Sequence, residues 1–557
     1  MIFRPVRHEK FSPVLLILLC LLLIPLYLVP LATHPLLEPD EGRYAEIPRE
    51  MNESGDYITP RLNYVSYFEK PALLYWMNAL SFKLLGETAF AARLFCALSA
   101  LAGVVATGLL GNLIYGRRAG LLAAVVTGTS LLYFAIGTLN LTDMPLSLFL
   151  TLSLAAFYAG YRTRHHRWYL LFYAAMALGL LTKGLVAIVL PGGVVFCFAV
   201  FTKKLRPITD ALYVPGMLLF FAIALPWFWL VCRENPDFFR FFFIQEHFMR
   251  YATKMHGRYE PIWYFLPILF AGVMPWSGFL PSLLRKGGLL RSPGSPEVAE
   301  ANLFCGLWFG VILLFFSASS SKLIPYVVPC IPPLALLVSA DVERAAESGS
   351  RSGFVVSAVL NALFACALFW YAFYGKLERA EALPVAVAIA VPLLIGAALS
   401  MWCLLRGRSA GRALVVLSVC ALLFIAGAQT LYPILAQTRS VGHVAAAAIQ
   451  NKAGDERIAV YGEVLQAVPF YAKERVILID YLGELAYGAS QLGEEERAAW
   501  FPNTEEFLTD WEAGEPLMLV VEKKRLGNLF GGAPVTAVNE IDCGDYMIFF
   551  NTLGPRP

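Results

Sequence analysis

Residues 11–31 read FSPVLLILLCLLLIPLYLVPL, and residues 38–44, just beyond, read EPDEGRY. The first stretch carries no charge over the about 20 residues that a helix needs to cross a bilayer core. A secretory signal would have an apolar stretch of about 7–15 residues ending in small side chains. This run is longer and leads into VPLATHP, so it reads as a first transmembrane helix, kinked near Pro25 and preceded by the basic MIFRPVRHEK.

Outward from that segment the pattern repeats. Apolar runs of spanning length lie near 90–113, 119–137, 142–161, 168–182, 184–201, 211–232, 262–282, 301–318, 323–340, 354–374, 384–405 and 413–431. With the first they predict about thirteen transmembrane helices. Over the 557 residues, 58% are hydrophobic, 14% aromatic and 15% charged, and mean hydropathy is +0.62. A soluble globular chain carries about 25% charged residues, so a cytosolic enzyme is excluded, as are disordered, collagenous and coiled-coil chains. A net charge of +3 does not point to nucleic acid. The ten cysteines are scattered without a C-x-x-C pair and read as small buried hydrophobes.

Arg117 and Arg118, Arg162 to Arg167, Lys203, Lys204 and Arg206, Arg285 and Lys286, and Arg406 to Arg412 fall in alternate connections. Together with the basic N-terminus they mark one face as cytoplasmic. An odd number of spans then places the C-terminus on the other face. The expected division is a transmembrane domain over residues 1–432 and an outer, periplasmic domain over 433–557. The first has outer loops at about 32–89 and 233–261. The loop at 32–89 holds two amphipathic segments, about 41–54 and 70–85, expected to lie at the membrane interface. In 433–557 helix-like RSVGHVAAAAIQNK precedes strand-like RIAVYG, RVILI and PLMLVV, which predicts a small α/β domain.

The outer face collects ionisable residues. Asp40 and Glu41 open the loop, with Arg43 and Tyr44 one turn on; a helix cap is the plainer use of such acids. Tyr67, Glu69 and Lys70 follow in YVSYFEKP, where an aromatic belt with a snorkelling lysine is the plainer reading. Asp143, in NLTDMPLS, starts a span at the same depth. Lys183 in LLTKGLVAIVLPG and Lys322 in SSSKLIPYVVP, with Tyr326 beyond it, are cations against the charge rule and suggest an anionic group nearby. The loop at 233–261 carries Arg233, Arg240, Arg250, Lys254 and Arg258 beside the run Phe238 to Phe243. That combination suits phosphate at a lipid surface. Glu246, His247 and His256 could join Glu69 around a metal, although they lack a fixed ligand spacing. No Walker A, G-x-G-x-x-G or H-E-x-x-H motif is present.

These motifs, E-P-D-E-x-R-Y-A-E-I-P-R-E-M, Y-F-E-K-P, T-D-M-P, T-K-G, E-H-F-x-R and S-K-L-I-P-Y, resemble bacterial GT-C glycosyltransferases that use polyprenyl-phosphate sugars. Within these the chain is most similar to the lipid A 4-amino-4-deoxy-L-arabinose transferases, relatives of the protein O-mannosyltransferases. The resemblance implies an α-helical polytopic GT-C fold with a periplasmic C-terminal α/β domain, in the bacterial inner membrane. It further implies transfer of the aminosugar from undecaprenyl phosphate to lipid A, with inversion, giving resistance to polymyxin and other cationic peptides. By motif match Asp40 would be the principal catalytic carboxylate, Glu41 its neighbour and Asp143 the second acid. Glu69 and Lys70 would line the cavity, while Arg43, Tyr44, Tyr67, Lys183, Arg250, Lys322 and Tyr326 would hold carrier phosphate or sugar. No cofactor is required. A divalent ion such as zinc is bound by some members, here through Glu69 with His247 or His256. The expected partners are the undecaprenyl-phosphate donor, lipid A and membrane lipids, with no nucleic acid, and the chain is expected to act as a monomer.

The acceptor's chemistry separates the readings. A hydroxyl acceptor needs a general base, whereas a phosphate monoester, with a second pKa of about 6, is already ionised near neutrality. With a lipid A phosphate, Asp40 is free to orient the amine or to stabilise oxocarbenium character. A protein O-mannosyltransferase would need that base and a peptide groove. A lipid flippase, the alternative from another class, would place polar residues at mid-span.

Overall fold

The computed structural model describes residues 13–249, 260–285, 295–348, 350–406, 410–452, 454–532 and 536–552. The chain is a multi-pass membrane protein that divides into two compact units. One comprises Met1–Leu31, Arg93–Cys232 and Phe239–Ile434; the other comprises Ala32–Ala92, Arg233–Phe238 and Leu435–Pro557.

Among the described residues nine helices are long and apolar enough to span a bilayer, or up to eleven if two bent pairs each count as one. The expected thirteen is not confirmed by this count, because four of the runs fold as short or bent helices. The runs near 168–182 and 184–201 are helices, Arg167–Lys183 and Val186–Thr202, but each has only 17 residues, and they are separated at Gly184 with φ +84°. The runs near 119–137 and 262–282 are broken. Arg117–Gly128 meets Leu131–Gly137 at 63°, and Phe265–Gly272 meets Ser277–Leu283 at 115°. Pro275 sits in the second break, where its missing N–H prevents a continuous helix.

In this unit Asp143–Thr163 and Arg167–Lys183 form an antiparallel hairpin closed by Arg164 at φ +59°. The first residue of one helix therefore returns beside the last residue of the other. That topology, rather than any local motif, is what brings Asp143 to Lys183.

The second unit is built on a sheet. Its strands are β3 (Arg457–Tyr461), β4 (Ile477–Ile479), β5 (Leu517–Glu522), β6 (Asn539–Cys543) and β7 (Tyr546–Phe550), after a short hairpin of β1 (Arg61–Leu62) and β2 (Val65–Ser66). The order is β4-β3-β5-β7-β6, with β3 parallel to β4 and β5, and β7 antiparallel to β5 and β6. The three strand candidates in the sequence are thus the parallel half. β6 and β7 form a hairpin around Gly544, whose φ of +74° suits a residue without a Cβ. Ile477, Ile479, Leu517, Leu519 and Val521 pack with Phe507 and Trp511 into the core.

The helix Asp40–Ser54 begins after Pro39 with both acids in its first turn, and ends at Gly55, whose left-handed φ of +74° lets its N–H reach Met51 O. Residues 41–51 of it are covered by protein. Glu46, Arg49 and Glu50 are all buried, with Arg49 bidentate on Glu46 at 2.7 and 2.6 Å. An amphipathic period reports a two-sided environment and does not tell protein from lipid. The β1–β2 hairpin turns through Asn63 and Tyr64, both with positive φ. Asn63 then exchanges two 2.8 Å hydrogen bonds with the backbone of Val476, which tie the hairpin to the β4 edge.

The run Phe238 to Phe243 does not present one lipid face. Phe238 is buried against Phe68 at 5.2 Å, Phe242 is buried near Phe228, and Phe239 is exposed.

Candidate active site

The candidates fall into two groups, one in each unit. In the sheet-bearing unit the helix Asp40–Ser54 and the segment after β2 bring Asp40, Arg43, Tyr44, Tyr67, Glu69 and Lys70 together with Glu484. The Arg43 guanidinium is buried, 2.6 Å from Glu484 and 3.4 Å from Asp40, and stacks 5.8 Å from the ring centroids of both Tyr44 and Tyr67. The Tyr67 hydroxyl donates to Glu484 at 3.3 Å. Lys70 Nζ donates to Glu69 O at 2.9 Å and lies 3.9 Å from the Glu69 carboxylate.

Asp40 is only half-buried, so the carboxylate nearest the helix start retains access to a ligand. Burial pushes the Glu484 carboxyl up, Arg43 pulls it down, and Glu69 pushes it up again. Burial likewise holds the Tyr44 and Tyr67 phenols well above their ordinary value, so both act as neutral donors. Three carboxylates face two cations here, an arrangement that favours a positively charged guest.

Glu41 is buried, and its carboxylate accepts the Leu37 N–H at 2.9 Å, closing the turn that starts the helix.

In the membrane-spanning unit Lys183 Nζ lies 2.5 Å from Asp143 Oδ1 and 4.7 Å from the Tyr326 ring centroid. Lys322 is buried, with Nζ donating to Ser319 O at 2.7 Å, just before the 3-10 turn Ile324–Cys330 that carries Tyr326. Asp143, Lys183 and Tyr326 are therefore one constellation, with an ammonium held between a carboxylate and an aromatic face.

Arg250 and His256, and the side chain of His247, lie outside the described residues. Among the described residues no three His, Cys, Asp or Glu side chains are grouped as metal ligands. Glu69, the remaining member of the suggested set, sits beside an ammonium, which disfavours a second cation. Two of the three suggested ligands lie outside the described side chains, and no chemical step is routed through a metal.

Glu484 escaped the sequence reading. It stands among the Glu-rich helical sequence between strands, and only the fold returns it to a loop 417 positions away from Tyr67 in number. The E-L-A-Y setting offers no motif that would have singled it out.

Comparison with known proteins bears on this geometry. Residues 12–242 match the family model described as dolichyl-phosphate-mannose-protein mannosyltransferase, and residues 445–540 match the aminoarabinose transferase C-terminal domain. The structure superposes on ArnT from Cupriavidus metallidurans, determined bound to undecaprenyl phosphate, with TM-score 0.85, 28% identity, and coverage of 98% of this chain and 100% of that one. The fold is that of the GT-C aminoarabinose transferases.

Two undecaprenyl phosphate-alpha-4-amino-4-deoxy-L-arabinose arabinosyl transferases are similar in sequence. That of Aeromonas hydrophila is 36% identical over 351 residues, covering 61% of this chain and 62% of its own length. That of Yersinia enterocolitica is 36% identical over 361 residues, covering 63% and 64%. The matched sequence thus spans a little under two thirds of these relatives. An oligosaccharyltransferase of Archaeoglobus fulgidus shares the fold alone, at TM-score 0.50 and 11% identity.

Proposed function

We propose that this chain is an integral membrane glycosyltransferase that moves 4-amino-4-deoxy-L-arabinose from undecaprenyl phosphate to a phosphate group of lipid A. The reaction takes place at the periplasmic face of the bacterial inner membrane, with the N-terminus cytoplasmic. The observation that carries the reading is the whole-length likeness to a protein whose structure holds undecaprenyl phosphate, together with the acid-rich cluster at Asp40. The product, with a cationic sugar masking a lipid A phosphate, would weaken binding of polymyxin and other cationic peptides.

The chemistry needs little from the protein beyond placement and charge. An oxygen of the ionised lipid A phosphate attacks the anomeric carbon. The bond from that carbon to the carrier's phosphate oxygen breaks, and the departing phosphate keeps the bonding pair. No proton has to move, because the nucleophile is already an anion. Attack opposite the leaving group inverts the anomeric centre. Asp40 and its acidic neighbours favour the sugar's ammonium and the positive charge that develops on the ring. Lys183, Lys322 and Arg43 supply positive charge for the phosphates, and Tyr44, Tyr67 and Tyr326 supply aromatic faces and neutral donors.

A protein O-mannosyltransferase is the second reading, favoured by the family model matched over residues 12–242. A flippase has less support, because the ionisable groups of the membrane-spanning unit gather at helix ends, as Asp143 and Lys183 do. The test uses membranes of a host lacking its own such enzyme, with the intact chain or Asp40→Ala, followed by mass spectrometry of lipid A. One aminopentose added by the intact chain and not by the variant supports donor, acceptor and carboxylate together. No addition by the intact, expressed chain refutes the lipid A reading, and a glycosylated protein in its place selects the second one.

A further inference from the structure

The stretch EPDEGRY contains an acid that the proposed chemistry does not use. Glu38 precedes Asp40 by two residues, and its carboxylate leaves the turn to bind another part of the same unit. Oε1 accepts the Ala467 N–H at 2.7 Å, and Oε2 accepts the Gln466 N–H at 3.0 Å. The Glu38 N–H donates to Arg439 O at 2.6 Å, and the Leu36 N–H donates to the Tyr471 hydroxyl at 2.8 Å. Gly42, on the first turn of the helix that carries Asp40, faces the same segment. A Cβ there would stand 2.5 Å from Ala467 N and 2.8 Å from Gln466 C. The start of that helix is thus held on residues 466–471 by a two-pronged carboxylate and by a backbone approach that only glycine permits.

We infer that Glu38 is a positioning residue, which sets the place of Asp40 by pinning the helix start to the amides of Gln466 and Ala467. The inference rests on the transferase reading and on Asp40's part in it. Because the acid's two oxygens serve two separate N–H groups, full anchoring requires the carboxylate form. Protonation turns one oxygen into a donor and leaves one amide without its acceptor.

The surroundings make that protonation accessible. Burial pushes the Glu38 carboxyl up to about 8 against the pull of the two amides and Arg43, with Glu463 adding to the rise. Glu38 borders a cavity of about 490 Å³ that is also lined by Arg439 and His443 from the segment before and within Gly442–Asn451, by Glu463, by Glu522 at the end of β5, and by Asp545 and Tyr546 at the β6–β7 turn. A raised carboxyl is neutral below its pKa and ionised above it, so the anchor completes as pH rises through about 8.

The test is steady-state transfer by the full-length protein in proteoliposomes, using undecaprenyl-phosphate-linked aminoarabinose and lipid A across about pH 6–9.5. The intact chain should show activity rising through about pH 8. Glu38→Gln mimics the protonated acid at every pH. Its kcat should fall about tenfold or more with KM changed less than about threefold, and the alkaline rise should vanish. Hydrogen exchange of the peptide spanning residues 464–472 should quicken. Gly42→Ala should lower kcat similarly, and the double variant should lose less than the product of the two.

An unchanged kcat and pH profile in Glu38→Gln, beside an active intact chain, overturns the role of Glu38 alone. A flat profile for the intact chain overturns it without any variant. No transfer by the intact chain at any pH overturns the transferase reading itself and this role with it.

Discussion

Glu484 accepts the buried guanidinium of Arg43 at 2.6 Å, and the same oxygen takes the Tyr67 hydroxyl at 3.3 Å. A residue from the C-terminal part of the sequence therefore completes the environment of the first loop's arginine. Arg43 in turn lies 3.4 Å from Asp40, so Glu484 bears on how much of the guanidinium's charge is offered to that acid or to a phosphate. Glu484→Gln keeps the shape and removes the charge. Transfer should drop about 10–100-fold, with Glu484→Asp recovering part of it. Initial rates of aminosugar addition to lipid A check this, and rates within twofold of the intact chain would remove Glu484 from the site.

The pairing of Lys183 with Asp143 at 2.5 Å makes a second claim about interdependence. Asp143→Asn removes the negative charge that faces the ammonium while keeping the Tyr326 ring at 4.7 Å, and Lys183→Met removes the cation that faces the carboxylate. Each single variant should lower transfer strongly. The double variant should lose less than the sum, with a coupling of about 1–3 kcal/mol in the transition-state free energy. Additive losses in the same rate assay would mean that the two act separately.

Legibility in the sequence followed physical distance along the chain. Asp40, Arg43 and Tyr44 share helix turns, and Tyr67, Glu69 and Lys70 share one short segment, so their chemistry was visible as motif. Asp143 and Lys183 stood out because charge inside apolar sequence is costly, though only the hairpin shows that they pair. Glu484 lies in an ordinary acidic helical stretch, and no local pattern distinguishes it. The burial of Glu46 and Glu50 was hidden for another reason, since hydrophobic periodicity is blind to what covers the apolar face. The expected count of thirteen is not confirmed at the runs that fold as 17-residue helices or as pairs bent by 63° and 115°, all of which read in sequence as ordinary apolar runs.

We expect transfer to proceed without a metal, from the charge that already faces Glu69. Its carboxylate already faces the Lys70 ammonium at 3.9 Å, and no group of three His, Cys, Asp or Glu side chains able to hold a metal ion is found among the described residues. Incubating the purified protein with EDTA, followed by gel filtration, should leave transfer within about twofold, and added Zn2+ should not raise it. A loss restored only by Zn2+ would place a required ion on the chain.

Glu46 and Glu50 are both buried one turn apart, with Arg49 gripping Glu46 and the Tyr64 N–H donating to Glu50 at 3.0 Å. Burial raises both carboxyls, and the charge of Glu46 pushes Glu50 further up. An acid raised on folding contributes stability that is fully present below its unfolded pKa and is lost as pH climbs through the folded value. The folded chain keeps a proton that the unfolded chain releases, which costs up to about 1.4 kcal/mol per pH unit across that window. Glu53 and Asp56 are lowered and act in the opposite sense, but only as pH falls through the acid range. Thermal unfolding in detergent should therefore show Tm declining from mildly acidic to alkaline pH. Glu50→Gln, a permanent donor in the same place, should flatten that decline and match or exceed the intact chain's Tm at alkaline pH. A slope unchanged by the substitution would mean that Glu50 ionises without cost.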